Sequence, residues 1–120
     1  MTEQRGEARI DHNVRLFVHV HRADDEPEMV GVSLEGEAVD FSAHGMQFKT
    51  KAELSPGTRL NITVGIGKPF CMYLLRGDLR WSRRTEDGQY SMGVLLIPAE
   101  GTDFDTWLEA FDQLFDDTPD

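Results

Sequence analysis

Cysteine is almost missing from this chain: Cys71 stands alone. One thiol forms no internal disulfide and supplies no cysteine-based zinc site. Basic charge is also scarce. Twelve Lys and Arg face 22 Asp and Glu, a formal net charge of −10. That excludes broad tracking along long nucleic acid, which needs a basic face. It also excludes docking on anionic lipid. Long hydrophobic runs are absent, since no window approaches the ~18 apolar residues that would span a bilayer. The N-terminal stretch from Met1 is charged and has no apolar signal region. A cytoplasmic chain is expected.

What is present suffices for one core. The 120 residues are 39% hydrophobic and fit one ordinary domain. The acidity is uneven. Eight carboxylates and no Lys or Arg lie between Glu100 and Asp120, whereas the first 22 residues sum to +1. The chain has a basic start and an acidic end. The acidic end is a candidate docking surface for a basic partner.

Hydrophobic period divides the chain. Val14, Leu16, Val18 and Val20 alternate with polar or exposed-type neighbours, which is strand period. Residues 30–41 read as one strand, or as two joined at Glu35-Gly36. Gly45 to Thr50 and Leu60-Ile62-Val64 alternate as well. A long strand follows from Phe70 to Trp81, with Cys71, Tyr73, Leu75, Gly77, Leu79 and Trp81 on one face. Tyr90 to Ile97 closes the set. Six or so short strands separated by turn residues point to a small antiparallel barrel or sandwich. Beyond them, Phe104, Trp107, Leu108, Phe111, Leu114 and Phe115 form a helical stripe. Thr102 and Asp105 have the spacing of a capping box. The stripe plugs one mouth of a barrel, is offered to a partner, or does both. The expected division is an N-terminal segment at 1–13, a barrel at 14–98 and a helix of the same domain at 102–117.

Several chemical signals fail on spacing. His19 and His21 share a strand face but lack a third metal ligand. Gly65-Ile66-Gly67-Lys68 is not a phosphate loop, because no Ser or Thr follows the lysine. Ser42 and His44 lack the Gly-x-Ser-x-Gly elbow. Asp24, Asp25, Glu26 and Glu28 lack calcium-loop spacing. Cys71 sits where an inert apolar cysteine is normal. No catalytic set emerges, so no enzyme, metal or cofactor is expected.

Two features remain. Arg5 and Arg9 form an RxxxR pair ahead of the first strand. Arginines fork onto phosphate or a guanine edge. Asp40-Phe41-Ser42-Ala43-His44-Gly45 follows the strand ending Ala38-Val39. Asp40 and Ser42 alternate, so both can point outward. A carboxylate there accepts from guanine N1 and N2, and a hydroxyl serves phosphate or base. Gly45 permits a turn with φ > 0 and close backbone approach. Each feature also has a plainer reading: solvated charge for the first, and a turn with Asp and Ser bonding backbone for the second.

RxxxR before the first strand, with (D/N)xSxxG one hairpin later, resembles the PilZ domain family of bacterial cyclic di-GMP receptors. Gly77-Asp78-Leu79-Arg80-Trp81 is similar to the family's G-x-V-x-W strand. Gly93-Val94-Leu95-Leu96 is similar to its G-V-x-F strand, with Leu96 in place of Phe. The resemblance covers nearly the whole chain. It implies a six-stranded antiparallel β-barrel with a trailing amphipathic helix. It implies that Arg5 and Arg9 wrap over the ligand, that Asp40 and Ser42 hold a guanine edge, and that Gly45 shapes the turn. Trp81 either places its ring against guanine or packs in the core, while Arg80 or Arg83 adds charge. Gln4 stands where many members carry a second arginine, so charge that would help neutralise a second dinucleotide is missing. The resemblance implies a stand-alone receptor, monomer or weak dimer, that regulates an unidentified protein effector in motility, biofilm or exopolysaccharide control. The alternative is a PilZ-like adaptor that binds protein and no nucleotide.

Overall fold

A computed structural model describes residues 14–66 and 71–115, with side chains up to Phe111. Period-2 patterning becomes six strands: β1 (Arg15–Arg22), β2 (Ser33–Ser42), β3 (Gly45–Thr50), β4 (Arg59–Ile66), β5 (Cys71–Arg84) and β6 (Tyr90–Ile97). One helix, α1 (Phe104–Phe115), follows. All strand pairs are antiparallel, and the barrel closes in the order β1-β2-β3-β6-β5-β4. Closure leaves no exposed sheet edge along the paired strands. Residues 33–42 form one strand rather than two.

The interior is filled from every wall. Leu16, Val18 and Val20 of β1 meet Leu60, Ile62 and Val64 of β4, all buried. Phe48, Leu75, Leu79, Met92 and Leu96 complete the packing. Each such side chain contributes roughly 1.5–3 kcal/mol by leaving water.

Helix α1 closes one mouth. Trp107 is fully buried and meets Phe41 and Tyr73 edge-on, with ring centroids 5.8 and 5.5 Å apart. Its Nε1–H donates to the carbonyl oxygen of Ala43 at 3.2 Å, which satisfies the buried indole donor. Burial pushes the Tyr73 hydroxyl above its ordinary pKa, with Cys71 and Asp103 adding to the shift. The start of α1 differs from the expected capping box. The Thr102 hydroxyl donates back to Ala99 O at 2.6 Å rather than capping the helix. Asp103 is tied to β5 instead. Its N–H donates to Leu74 O at 2.7 Å, and its carboxylate accepts from Leu74 N–H at 2.8 Å. The hydrogen-bonding needs of the β5 backbone beyond the end of β6 therefore outweigh the local cap.

Two bulges alter the alternation. On β2, Ala38 pairs with Phe48 and Asp40 pairs with Gln47, so Val39 is an extra residue. On β5, Leu79 pairs with Val94 and Trp81 pairs with Gly93, so Arg80 is extra. Each bulge reverses which residues face inward. Trp81 therefore leaves the face of Leu75 and Leu79 and lies outside the barrel, against the face expected from strict alternation. Ser82 takes the inward position, its Oγ buried without a hydrogen-bond partner. Cys71 is exposed at the start of β5 rather than packed among apolar neighbours.

Candidate functional site

The bulges bring four residues into one row across the outer wall. Asp40 pairs with Gln47, Gln47 with Gly93, and Gly93 with Trp81. Three inter-strand steps place the ends of this row about 14 Å apart. Without the Val39 bulge, Asp40 and Ser42 would continue the inward series of Leu34, Gly36 and Ala38. With it, Phe41 is buried and Asp40 and Ser42 point out.

A cleft of about 380 Å³ lies on this row. Asp40, Ser42, His44, Gly45, Gln47, Arg80, Trp81, Gly93 and Leu95 line it, with Met46 and Val94 beneath. Its volume falls in the range of small-molecule sites, roughly 300–1,000 Å³. The wall is chemically mixed. Asp40 has no ion pair or hydrogen bond among the described residues, so its carboxylate is available as an acceptor. Ser42 Oγ donates to Gly45 O at 3.3 Å, a weak bond that a ligand can replace. Arg80 brings an exposed guanidinium and Leu95 an apolar edge, 40% exposed.

Trp81 is half-buried beside Gly93. A Cβ on Gly93 would collide with the indole Nε1, Cε2 and Cζ2. Only glycine therefore lets the ring lie so close to β6. The guanidinium of Arg83 stands over the same ring, 4.9 Å from its centroid.

Gly45 acts differently from the expectation of a positive φ, which it does not adopt. A Cβ there would stand 3.1 Å from Val94 O and 3.4 Å from Ser42 Oγ. Its role is close approach of the hairpin to β6.

Of the residues singled out from sequence, Asp40, Ser42, Gly45 and Trp81 meet at this one cleft. Arg5 and Arg9 lie outside the described residues. Gln47, Leu95 and His44 were not placed in the site from sequence. Gln47 was within reach, because it follows Gly45 by two and shares its outward face. Leu95 required the strand pairing to bring it beside Gly45. Among the described residues, no three His, Cys, Asp or Glu side chains group to hold a metal. No helix among them is long and apolar enough to cross a membrane.

The PilZ domain family model matches residues 3–111, and the chain belongs to the PilZ domain family. PilZ domains are binding and adaptor domains. The fold is similar to the solved structure of the Bacillus subtilis inhibitor of motility, MotI/DgrA, with a TM-score of 0.62 and 13% sequence identity. That match covers 98% of this chain and 55% of the other, so this chain spans about half its length. No curated protein matches the sequence.

Proposed function

We propose that this protein is a cytoplasmic receptor for cyclic di-GMP that regulates a protein effector. The observation that carries this reading is the row Asp40–Gln47–Gly93–Trp81. It sets an unpaired carboxylate opposite an aromatic ring across a cleft of nucleotide scale. A carboxylate accepts from guanine N1–H and N2–H, and an indole offers a stacking face. Arg5 and Arg9 supply cations to the phosphates and the Hoogsteen edge, as the RxxxR resemblance implies. The net charge of −10 does not oppose this, because eight of the carboxylates lie after residue 99.

The output is a change of surface. The hairpin that carries Ser42 and Gly45 also carries Ala43, whose carbonyl holds Trp107 of α1. His44 lines the cleft and lies 6.2 Å from the Phe104 ring at the start of α1. Ligand seated at Asp40 and Ser42 therefore bears on how α1 sits over the barrel mouth. The effector, in motility, biofilm or exopolysaccharide control, reads that difference.

Titration calorimetry with cyclic di-GMP tests the reading. Charge-assisted contacts are worth about 1.5–3 kcal/mol, so Arg9→Ala and Asp40→Ala are each expected to weaken binding roughly tenfold or more. Both variants are expected to keep the barrel fold by circular dichroism. Unchanged affinity in both overturns the assigned site. No uptake by the unaltered chain favours an adaptor that binds protein alone.

A further inference from the structure

We propose that the outer wall of β1, β4 and β5 docks the acidic α1 of a second copy of this chain, giving a two-fold dimer. The wall shares no residue with the cleft, and its dimer stands or falls without the nucleotide reading. Strand pairing sets out three rows. Arg15, Gly65 and Met72 form the first. Phe17, Thr63 and Leu74 form the second, and His19, Asn61 and Arg76 the third. Rows follow one another at about 7 Å and strands at about 5 Å. Phe17, Met72 and Leu74 are 44%, 54% and 39% exposed. They are three of the six large hydrophobic side chains exposed among the described residues, gathered on one side of the barrel. Apolar surface collected in this way marks an interaction site, whereas scattered single residues do not.

Charge names the occupant. β1 and β4 carry no carboxylate, and β5 carries only Asp78, which Arg59 holds. Glu35 of β2, paired with Phe17, bounds the wall on one side. Arg15 and Arg76 flank the apolar residues and have no carboxylate partner among the described residues. Arg76 Nε donates to the neutral Asn61 amide at 3.0 Å. Two such walls laid face to face would set arginine against arginine. A carboxylate-rich surface suits them, and this chain carries one. Residues 100–120 hold eight carboxylates and no Lys or Arg. On α1, Asp105 and Glu109 are exposed one turn apart, with Leu108 half-buried beside them. Wall and helix are also neighbours on one molecule. Asp103, just before α1, exchanges two hydrogen bonds with Leu74, at 2.7 and 2.8 Å. A two-fold axis beside that junction lets each α1 lie on the other copy's wall, which closes the assembly at two. The net charge of −10 repels the copies at long range. Screening over about 8 Å confines that repulsion and leaves the local contacts to decide.

Sedimentation velocity on the full chain over a range of concentrations tests the dimer. The unaltered chain is expected to rise towards twice the monomer mass. Arg76→Glu and Glu109→Arg are each expected to weaken pairing about tenfold or more, with the circular dichroism of the barrel unchanged. Mixing these two variants is expected to restore pairing, because the altered wall then meets the altered helix while the other contact stays native. Phe17→Ser is expected to weaken pairing about tenfold. A mixture that stays monomeric, full pairing in both Arg76→Glu and Phe17→Ser, or growth beyond two copies would each overturn the proposal. A monomer at every concentration also overturns it, and leaves the wall to an acidic segment of another protein.

Discussion

The chain has two tryptophans, and they occupy opposite situations. Trp107 is fully buried at the barrel mouth, its N–H bonded to Ala43 O and its ring edge-on to Phe41 and Tyr73. Trp81 is half-buried on the outer wall, braced against a glycine and covered by the Arg83 guanidinium. The first has its polar and apolar needs met inside the protein. The second has an indole N–H with no acceptor among the described residues and the Arg83 guanidinium over its ring. An aromatic of the first kind holds a fold together. One of the second kind is available to a ligand. The mouth and the cleft are nevertheless joined, since the hairpin 42–45 touches both.

The sharpest way to break this contrast is to truncate each ring. Trp107→Ala removes a large buried side chain and leaves a cavity beneath α1. The expected cost is about 3–5 kcal/mol, read from urea unfolding midpoints. Trp81→Ala is expected to cost less than about 1 kcal/mol while weakening cyclic di-GMP binding about tenfold. Equal stability losses would erase the distinction between the two rings.

Next in size is Gly93→Ala. The added methyl collides with the indole. Because Trp81 is at the surface it can swing outward, so the stability loss is expected near about 1 kcal/mol, the low end for overpacking. Affinity is expected to fall by about tenfold, since the ring no longer stands over the row. Retained affinity with a displaced Trp81 emission would separate the ring from the site.

The inner half of this arrangement was legible in the sequence and the outer half only partly. Strict alternation places Leu16, Val18 and Val20, and then Leu60, Ile62 and Val64, in the core, because both strands pack one face and wet the other. The helical stripe from Phe104 reads as a mouth plug because its period changes to 3.6. The bulges were not legible. Nothing local marks Val39 or Arg80 as an extra residue, since a bulge is a mismatch between two strands and shows only once both are paired. That is why Trp81 reads from sequence as a neighbour of Leu79 and stands in the structure over Gly93. Asp40 and Ser42 were legible as a pair pointing the same way, while which way depended on the bulge. The motif DxSxxG identified the hairpin, and the spacing alone did not show that Gly45 serves close approach rather than a left-handed turn.

A smaller effect sharpens the mouth side. Asp103→Ala removes the carboxylate that accepts Leu74 N–H and leaves the backbone bond from Asp103 in place. Loss of this one charge-assisted bond, partly solvated, is expected to cost about 1 kcal/mol. Thermal unfolding followed by Trp107 fluorescence reads it. Cyclic di-GMP affinity is expected to stay within about twofold, because the bond from Trp107 to Ala43 O that ties the hairpin to α1 is left in place. A larger loss would show tight coupling between mouth and cleft.

The smallest expected effect lies away from both tryptophans and tests whether either region titrates. On the β1–β4–β5 wall, the His21 imidazole is held below its ordinary pKa of 6.5. Loss of solvation comes first, then repulsion from Arg76, Arg59, His19 and Arg22. Arg59 is offset by its ion pair with Asp78, whereas Arg76 Nε donates at 3.0 Å to the neutral amide of Asn61 and keeps its full charge, which fits its larger share of the repulsion. Folded His21 gives up its proton more readily than unfolded His21. Between its lowered value and 6.5 the unfolded chain therefore binds more protons, and stability falls as pH falls through that window. His21→Gln is expected to flatten the pH dependence of the urea midpoint just below 6.5 and to leave cyclic di-GMP affinity unchanged. The same slope in the variant would mean that another group drives the acid response. A change in affinity would mean that the back wall of the barrel communicates with the cleft, which the separate roles of the two tryptophans do not predict.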